Sequence, residues 1–298
     1  MEKQESFEKT AVRVSYVSII SNAVLTVLKL FAGIFAKSSA MISDAIHSAS
    51  DVLSSIVVIV GVKIASKESD KNHPYGHERY ESVAAIVLSA MLGATGLTLG
   101  YNAVLNLIRG DYVGSEIPGI LAAVAAVISI IVKEAMYWYT RYYAKKIDSN
   151  ALMADAWHHR SDSLSSIGSL IGVMGARMGL AWFDPAASIV ICLFILKAAY
   201  EIFFDAVNQM VDHSCSEDVE KAIVKCAKKH PRMLGIERLR TREFGNKIYV
   251  DLRIYADDTI SFVESDQIAK EIHDMVEQEF PKIKHINVMM RPKTVKKK

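Results

Sequence analysis

A thirteen-residue stretch occurs twice in this chain, 111 residues apart, and it limits what the chain can become. The first copy, Asp44 to Ile56, reads DAIHSASDVLSSI; the second, Asp155 to Ile167, reads DAWHHRSDSLSSI, and nine of thirteen positions are identical. Each copy carries His and Asp four apart, His47/Asp51 and His158/Asp162, and an Asp seven residues before the last one, Asp44 and Asp155. Residues three, four and seven apart share one face of an α-helix. Both copies sit in long apolar stretches, where an imidazole or a carboxylate is costly and marks a functional site. Two such helices supply two nitrogens and two oxygens at one point, a full tetrahedral set for a divalent metal such as zinc. The plainer alternative is four side chains that satisfy one another's hydrogen bonds, which leaves the matched spacing and the duplication unexplained. Asp44 and Asp155 are read as supporting or pathway residues, with helix capping and a competing ligand set as alternatives. His159 lies about 100° around the helix from His158 and points elsewhere. Asn22 lines the same cavity or serves as a packing amide.

The apolar content is concentrated in residues 11–208, and 209–298 have the texture of a soluble domain. A bilayer-spanning helix needs ~20 mostly apolar residues. Six are expected, over roughly 11–35, 40–65, 81–108, 117–140, 151–176 and 184–208. The polar first ten residues lack a cleavable signal pattern, so the first apolar segment is expected to remain as a membrane helix. The N-terminus and the second and fourth loops hold ten Lys and Arg against three in the other loops. That bias places both termini in the cytoplasm of a multi-pass cell-membrane protein. Gly96/Gly100 and Gly168/Gly172 have the GxxxG spacing, read as packing within one bundle, with a subunit contact as the alternative. Beyond Asp212, helix 216–230, strands Leu234–Glu243 and Lys247–Tyr255 around a Gly245-Asn246 turn, helix 262–280 and strand His285–Arg291 give an α-β-β-α-β order. One face of such a sheet can pair two copies.

A second cluster, Asp70, His73, His77 and Glu78, lies in the loop DKNHPYGHERYE, either a weak metal site or an ordinary polar loop. Net charge is +2 and no basic stripe with interleaved aromatics occurs, so no nucleic-acid partner is expected. Cys192, Cys215 and Cys226 lack metal or redox spacing and suit a reducing compartment. No HExxH or similar hydrolase signature appears, and four ligands leave no open position for a substrate, so an enzyme is not expected. A passive channel wants weak, multiple sites, which a four-ligand site is not.

Taken together, the paired HxxxD motifs, the six spans, the HPYGH loop and the α-β-β-α-β tail resemble the cation diffusion facilitators over nearly the whole chain. The resemblance implies an α-helical membrane protein of six transmembrane helices (1–208, transport) with a C-terminal cytoplasmic α+β, ferredoxin-like domain (209–298, dimerisation and regulation). It implies a homodimer in the lipid bilayer that moves a divalent metal out of the cytoplasm in exchange for protons. His47, Asp51, His158 and Asp162 match the family's transport site, and Asp70, His73 and His77 its loop site. Arg79 and Asp212 match a charge interlock at the membrane–cytoplasm junction. His at the first transport position resembles the zinc-preferring members. Zinc is therefore the expected cargo and a candidate regulatory ligand, with manganese, iron(II), cobalt and cadmium as alternatives and no organic cofactor. The family's binuclear cytoplasmic site maps to Glu237, Asp251, Asp266, Met289 and Arg291; Met and Arg stand where ligands are needed, so that site is not expected. His213, His230, His273 and His285 are read as solvated surface histidines, with a different metal site as the alternative.

Overall fold

A computed structural model describes residues 2–35, 39–110, 120–177, 183–245 and 247–293. The chain divides into two compact units, Met1–Val207 and Asn208–Lys298.

The first unit contains six helices: α1 (Glu2–Phe35), α2 (Ser39–Ala65), α3 (Arg79–Arg109), α4 (Ile120–Ile147), α5 (Asn150–Arg177) and α6 (Phe183–Met210). Its pattern is inverted relative to a soluble bundle. Ile20, Val24, Phe31, Leu97, Tyr101 and Phe194 face outward, while Lys29, Asp51, Lys133, Asp155 and Asp162 are buried. Outward apolar side chains with inward charge suit a lipid surround. By length and composition alone, three helices among the described residues qualify as spans: Phe7–Phe35, Ala45–Ala65 and Arg79–Arg109. Six were expected; in α4 and α5 the apolar runs are broken by Lys133 and by the Asp155–Asp162 stretch, groups that the fold turns inward.

Local chemistry sets the helix ends. α3 stops at Gly110, whose φ of 71° lets its N–H return to the Asn106 carbonyl. α4 reverses into α5 across Asp148, at φ 58°, and Ser149, whose Oγ accepts the Leu152 N–H at 3.2 Å. This tight reversal makes α4 and α5 antiparallel neighbours. Lys133 lies fifteen residues before Asp148 and Asp162 fourteen after it, so the two arrive at the same depth. α2 also meets α5. The GxxxG pair on α3 packs within the chain: a Cβ at Gly96 would stand 3.0 Å from Ile195, and one at Gly100 2.5 Å from Cys192 Sγ, both on α6. Gly168 likewise sits against Ile191.

The second unit runs α7 (Glu217–Ala227), β1 (Gly235–Phe244), β2 (Lys247–Asp257), α8 (Phe262–Glu279) and β3 (Ile283–Lys293). α7 ends three residues short of the expected 230. Its last backbone bonds tighten, Lys229 to Cys226 and His230 to Ala227, because Pro231 pushes the preceding residue out of helical conformation. β1 and β2 are antiparallel, and the turn begins at Gly245, whose φ is 54°. Asn246 of the expected turn lies outside the described residues. β2 and β3 are parallel, which requires the α8 crossover between them. Val250, Leu252 and Ile254 of central β2 are buried with Ile268, Ile272 and Val276 of α8 and Ile223 of α7.

Candidate metal centre

The two repeats lie on α2 and α5, whose residue numbers run in opposite directions where they meet. Ser54 Oγ donates to Asp155 Oδ1 at 2.9 Å, His158 Nε2 lies 3.4 Å from Asp51 Oδ1, and His47 Nε2 lies 3.6 Å from Asp162 Oδ1. The antiparallel crossing thus sets the histidine of each copy against the aspartate of the other. His47 Nε2 also stands 3.9 Å from Asp51 Oδ1 in its own copy. Ligand atoms held ~2.1 Å from a tetrahedral zinc ion stand about 3.4 Å from one another, so the His158–Asp51 and His47–Asp162 separations are close to tetrahedral edges and the His47–Asp51 one is longer. Among the described residues, ligand atoms of His47, Asp51 and Asp162 all lie within 4.8 Å of one another. His158 stands outside that group and meets it at Asp51 Oδ1, so the structure gathers three of the four expected ligands and sets the fourth against one of them.

Sequence reading missed one member of this cluster. Lys133 of α4 reaches between the carboxylates, its Nζ 2.6 Å from Asp51 Oδ2 and 2.8 Å from Asp162 Oδ2. It is only 2% exposed. A second buried lysine, Lys29 of α1, donates to Ser48 Oγ at 2.8 Å, beside His47. A cavity of about 80 Å³ opens on this cluster, lined by both lysines, His47, Asp51 and Asp162. That is room for an ion with a few waters.

Asp155 supports the crossing from below. It is fully buried, receives Ser54 at 2.9 Å, and faces His159 Nε2 at 3.5 Å. Ser54 also reaches the Asp51 carbonyl at 2.8 Å, so one hydroxyl links the two repeats. His159 turns away from the cluster as expected, with Nε2 3.2 Å from Ser18 Oγ of α1. Asn22 is buried on α1, and its amide atoms have no hydrogen-bond partner among the described residues. Asp44 lies on α2, and its side chain falls outside the described residues.

The loop cluster is assembled by an Asx-type turn. Asp70 Oδ1 accepts the N–H groups of Asn72 and His73, both at 2.8 Å, and Gly76, at φ 101°, accommodates the reversal. The N–H of His73, with that of Asn72, holds the Asp70 carboxyl below its usual range. His73 Nδ1 and His77 Nε2 each lie 3.4 Å from an Asp70 oxygen. His77 Nδ1 meets the Glu68 carbonyl at 3.1 Å. A carbonyl only accepts, so the His77 ring carries a hydrogen on Nδ1, and its Nε2 is the atom left to face Asp70. A metal-ligating histidine needs such an orienting partner.

Arg79 opens α3 in the first unit, and Asp212, at φ 61°, faces Arg242 Nη1 at 3.9 Å in the second. Where the family's binuclear site maps, Arg291 pairs with Glu237 at 3.7 Å. The four C-terminal histidines are dispersed: His230, buried rather than solvated, on Glu271 at 2.9 Å, His273 on Asp274 at 3.1 Å, His213 on the Ser214 carbonyl at 2.8 Å and His285 with its ring centroid 6.3 Å from that of Tyr249. Among the described residues no group of three potential ligands forms in this unit.

Comparison with known proteins matches both units. A family model described as the cation efflux transmembrane domain covers residues 15–211, and one described as the cation efflux protein cytoplasmic domain covers 215–293. An uncharacterized transporter of Methanocaldococcus jannaschii is 36% identical, over 87% of this chain and 88% of its own. The manganese efflux system protein MneS of Bacillus subtilis is 30% identical over 93% of both chains. The magnetosome protein MamB of a Magnetospira species is 30% identical over 90% of both.

Proposed function

The chain belongs to the cation efflux family, that of the cation diffusion facilitators, and from that premise we propose that it exports zinc from the cytoplasm in exchange for protons. The family is one of transporters, not enzymes. His47, Asp51, His158 and Asp162 are the transport ligands in this reading. The observation that supports it is the approach of imidazole nitrogens to carboxylate oxygens across the two crossed helices, at 3.4 and 3.6 Å, with His47 3.9 Å from Asp51 on its own helix. Two nitrogens and two oxygens suit zinc and its first-row neighbours and disfavour copper(I), which wants sulfur.

Cargo and protons compete for the same atoms, because His must be neutral and Asp ionised to bind metal. A site that faces the two sides of the membrane in turn then loads metal inside and exchanges it for protons outside. Asp155 sets the crossing of the two ligand helices. The loop ligands Asp70, His73 and His77 form a second, regulatory site. The C-terminal unit pairs two chains into a homodimer in the cell membrane, with N- and C-termini in the cytoplasm.

MneS, named for manganese efflux, makes manganese the second reading. Metal competition separates the two. Zinc flux into inverted vesicles should follow an imposed proton gradient, and excess manganese should inhibit it weakly. Strong manganese preference in the unmodified protein would overturn the zinc assignment, and flux indifferent to the gradient would overturn the exchange.

A further inference from the structure

The carboxylate oxygens of the transport cluster are divided between two tasks. Both Oδ1 atoms face imidazoles: Asp51 Oδ1 faces His158 at 3.4 Å and His47 at 3.9 Å, and Asp162 Oδ1 faces His47 at 3.6 Å. Both Oδ2 atoms face Lys133, at 2.6 and 2.8 Å. These two contacts have the length of charge-assisted hydrogen bonds. Lys133 comes from α4, outside either repeat, and its side chain is 2% exposed. Moving its ammonium into an apolar surround would strand a charge, and the geometry offers it two anionic oxygens where it stands.

From this division, and resting on the zinc-transport reading above, we propose that Lys133 is a specificity-determining residue that makes each aspartate a one-oxygen ligand. With both Oδ2 atoms held by the ammonium, Asp51 and Asp162 offer the cargo one oxygen each. Two histidine nitrogens complete four ligands and no more. Zinc accepts four-coordinate tetrahedral sites readily, whereas manganese favours octahedral, oxygen-rich ones. A carboxylate free at both oxygens can bind a cation bidentately and raise the coordination number. Lys133 removes that option at both aspartates at once. It remains in place when metal binds, because cargo and ammonium use different oxygens. It touches the ligands and not the cargo, and so acts by positioning.

Removal of the ammonium strengthens binding of every divalent ion through charge alone, so the test is a ratio. In proteoliposomes and in metal titrations of the purified full-length protein, Lys133→Met should raise the affinity for manganese relative to zinc by about tenfold or more, the scale carried by groups that support metal ligands. Lys133→Arg, whose fork also reaches two oxygens, should restore the original ratio. A ratio unchanged in Lys133→Met, or one that Lys133→Arg fails to restore, would overturn the proposal. Should Lys133→Met fail to fold, cobalt(II) serves as a probe of protein that retains Lys133 and lacks the loop site through His77→Ala. An intense four-coordinate visible spectrum is expected, and a weak six-coordinate one would overturn the proposal. A manganese preference in the unmodified protein refutes the zinc reading, whereas an unmoved ratio refutes the role of Lys133, so the two failures are distinguishable.

Discussion

Asp51 is the point on which the proposed metal centre turns, and its conversion to Asn gives the sharpest test. Its Oδ2 receives Lys133 at 2.6 Å, while Oδ1 faces His158 at 3.4 Å and His47 at 3.9 Å. Asparagine keeps the shape and removes the charge. Its amide NH₂ must then face either an ammonium or the imidazoles meant for metal. Breaking a buried ion pair costs about 3–5 kcal/mol. Asp162, at 2.8 Å, still holds Lys133, so the ammonium is not stranded and the cost falls at the lower end, about 3 kcal/mol. The effect on metal is larger in consequence. One of two anionic ligands is lost, and groups that merely support ligands already carry about 10–100-fold in affinity. Zinc affinity should therefore fall at least ~100-fold, and zinc flux in proteoliposomes should vanish. A lowered unfolding midpoint with unchanged zinc affinity and normal flux would refute the reasoning, because Asp51 would then be only a partner of Lys133.

Three further outcomes follow from other parts of the molecule. His77→Ala should reduce the metal bound per chain by one ion and leave the zinc affinity of the remaining site unchanged, as read by equilibrium dialysis. Gly100→Ala places a Cβ 2.5 Å from Cys192 Sγ and should cost about 1–3 kcal/mol of stability, which added Cys192→Ala relieves; thermal unfolding in detergent measures both. In the C-terminal unit Glu264 is held below its usual range by the Ser261 N–H and Arg232, Glu271 by His230, and Glu279 by Lys229. A depressed carboxyl binds fewer protons folded than unfolded, so this stabilisation is complete above the ordinary glutamate range and is lost as pH falls through the folded values. Hydrogen exchange in α8 should show the loss, and Ser261→Ala, which removes the capping box, should weaken the first turn by about 1 kcal/mol at neutral pH.

The duplicated motif was legible because it is local. Four-residue spacing puts His47 with Asp51 and His158 with Asp162 on any helix, and the helix bounds followed from apolar runs closed by Gly, Pro and charge. The pairing of His47 with Asp162 and of His158 with Asp51 was not legible, since it depends on the antiparallel crossing of α2 and α5. Lys133 was hidden for a related reason. Followed by Glu134 in a span that ends in aromatics and basic residues, it resembles a flanking lysine that reaches for the membrane surface. The available signal was its place inside an apolar run, where any ionisable residue warrants a partner. Lys29, in the run VLKLF, carried the same signal. His159 could be set aside from helix geometry alone, but its contact with Ser18 requires knowledge of where α1 lies.

The glycine-lined contact of α3 with α6 has a mechanical consequence. α2, α4 and α5 are joined at Asp51, Lys133 and Asp162 by charge, and relative motion among them pulls buried ion pairs apart. Gly96 and Gly100 meet Ile195, Leu196 and Cys192 through shape alone, with nothing charged to break. A change of shape in this bundle therefore meets two kinds of resistance, a stiff electrostatic knot and a greased bearing. Displacement is expected to concentrate at the bearing, where each small shift costs only the van der Waals fit it leaves behind.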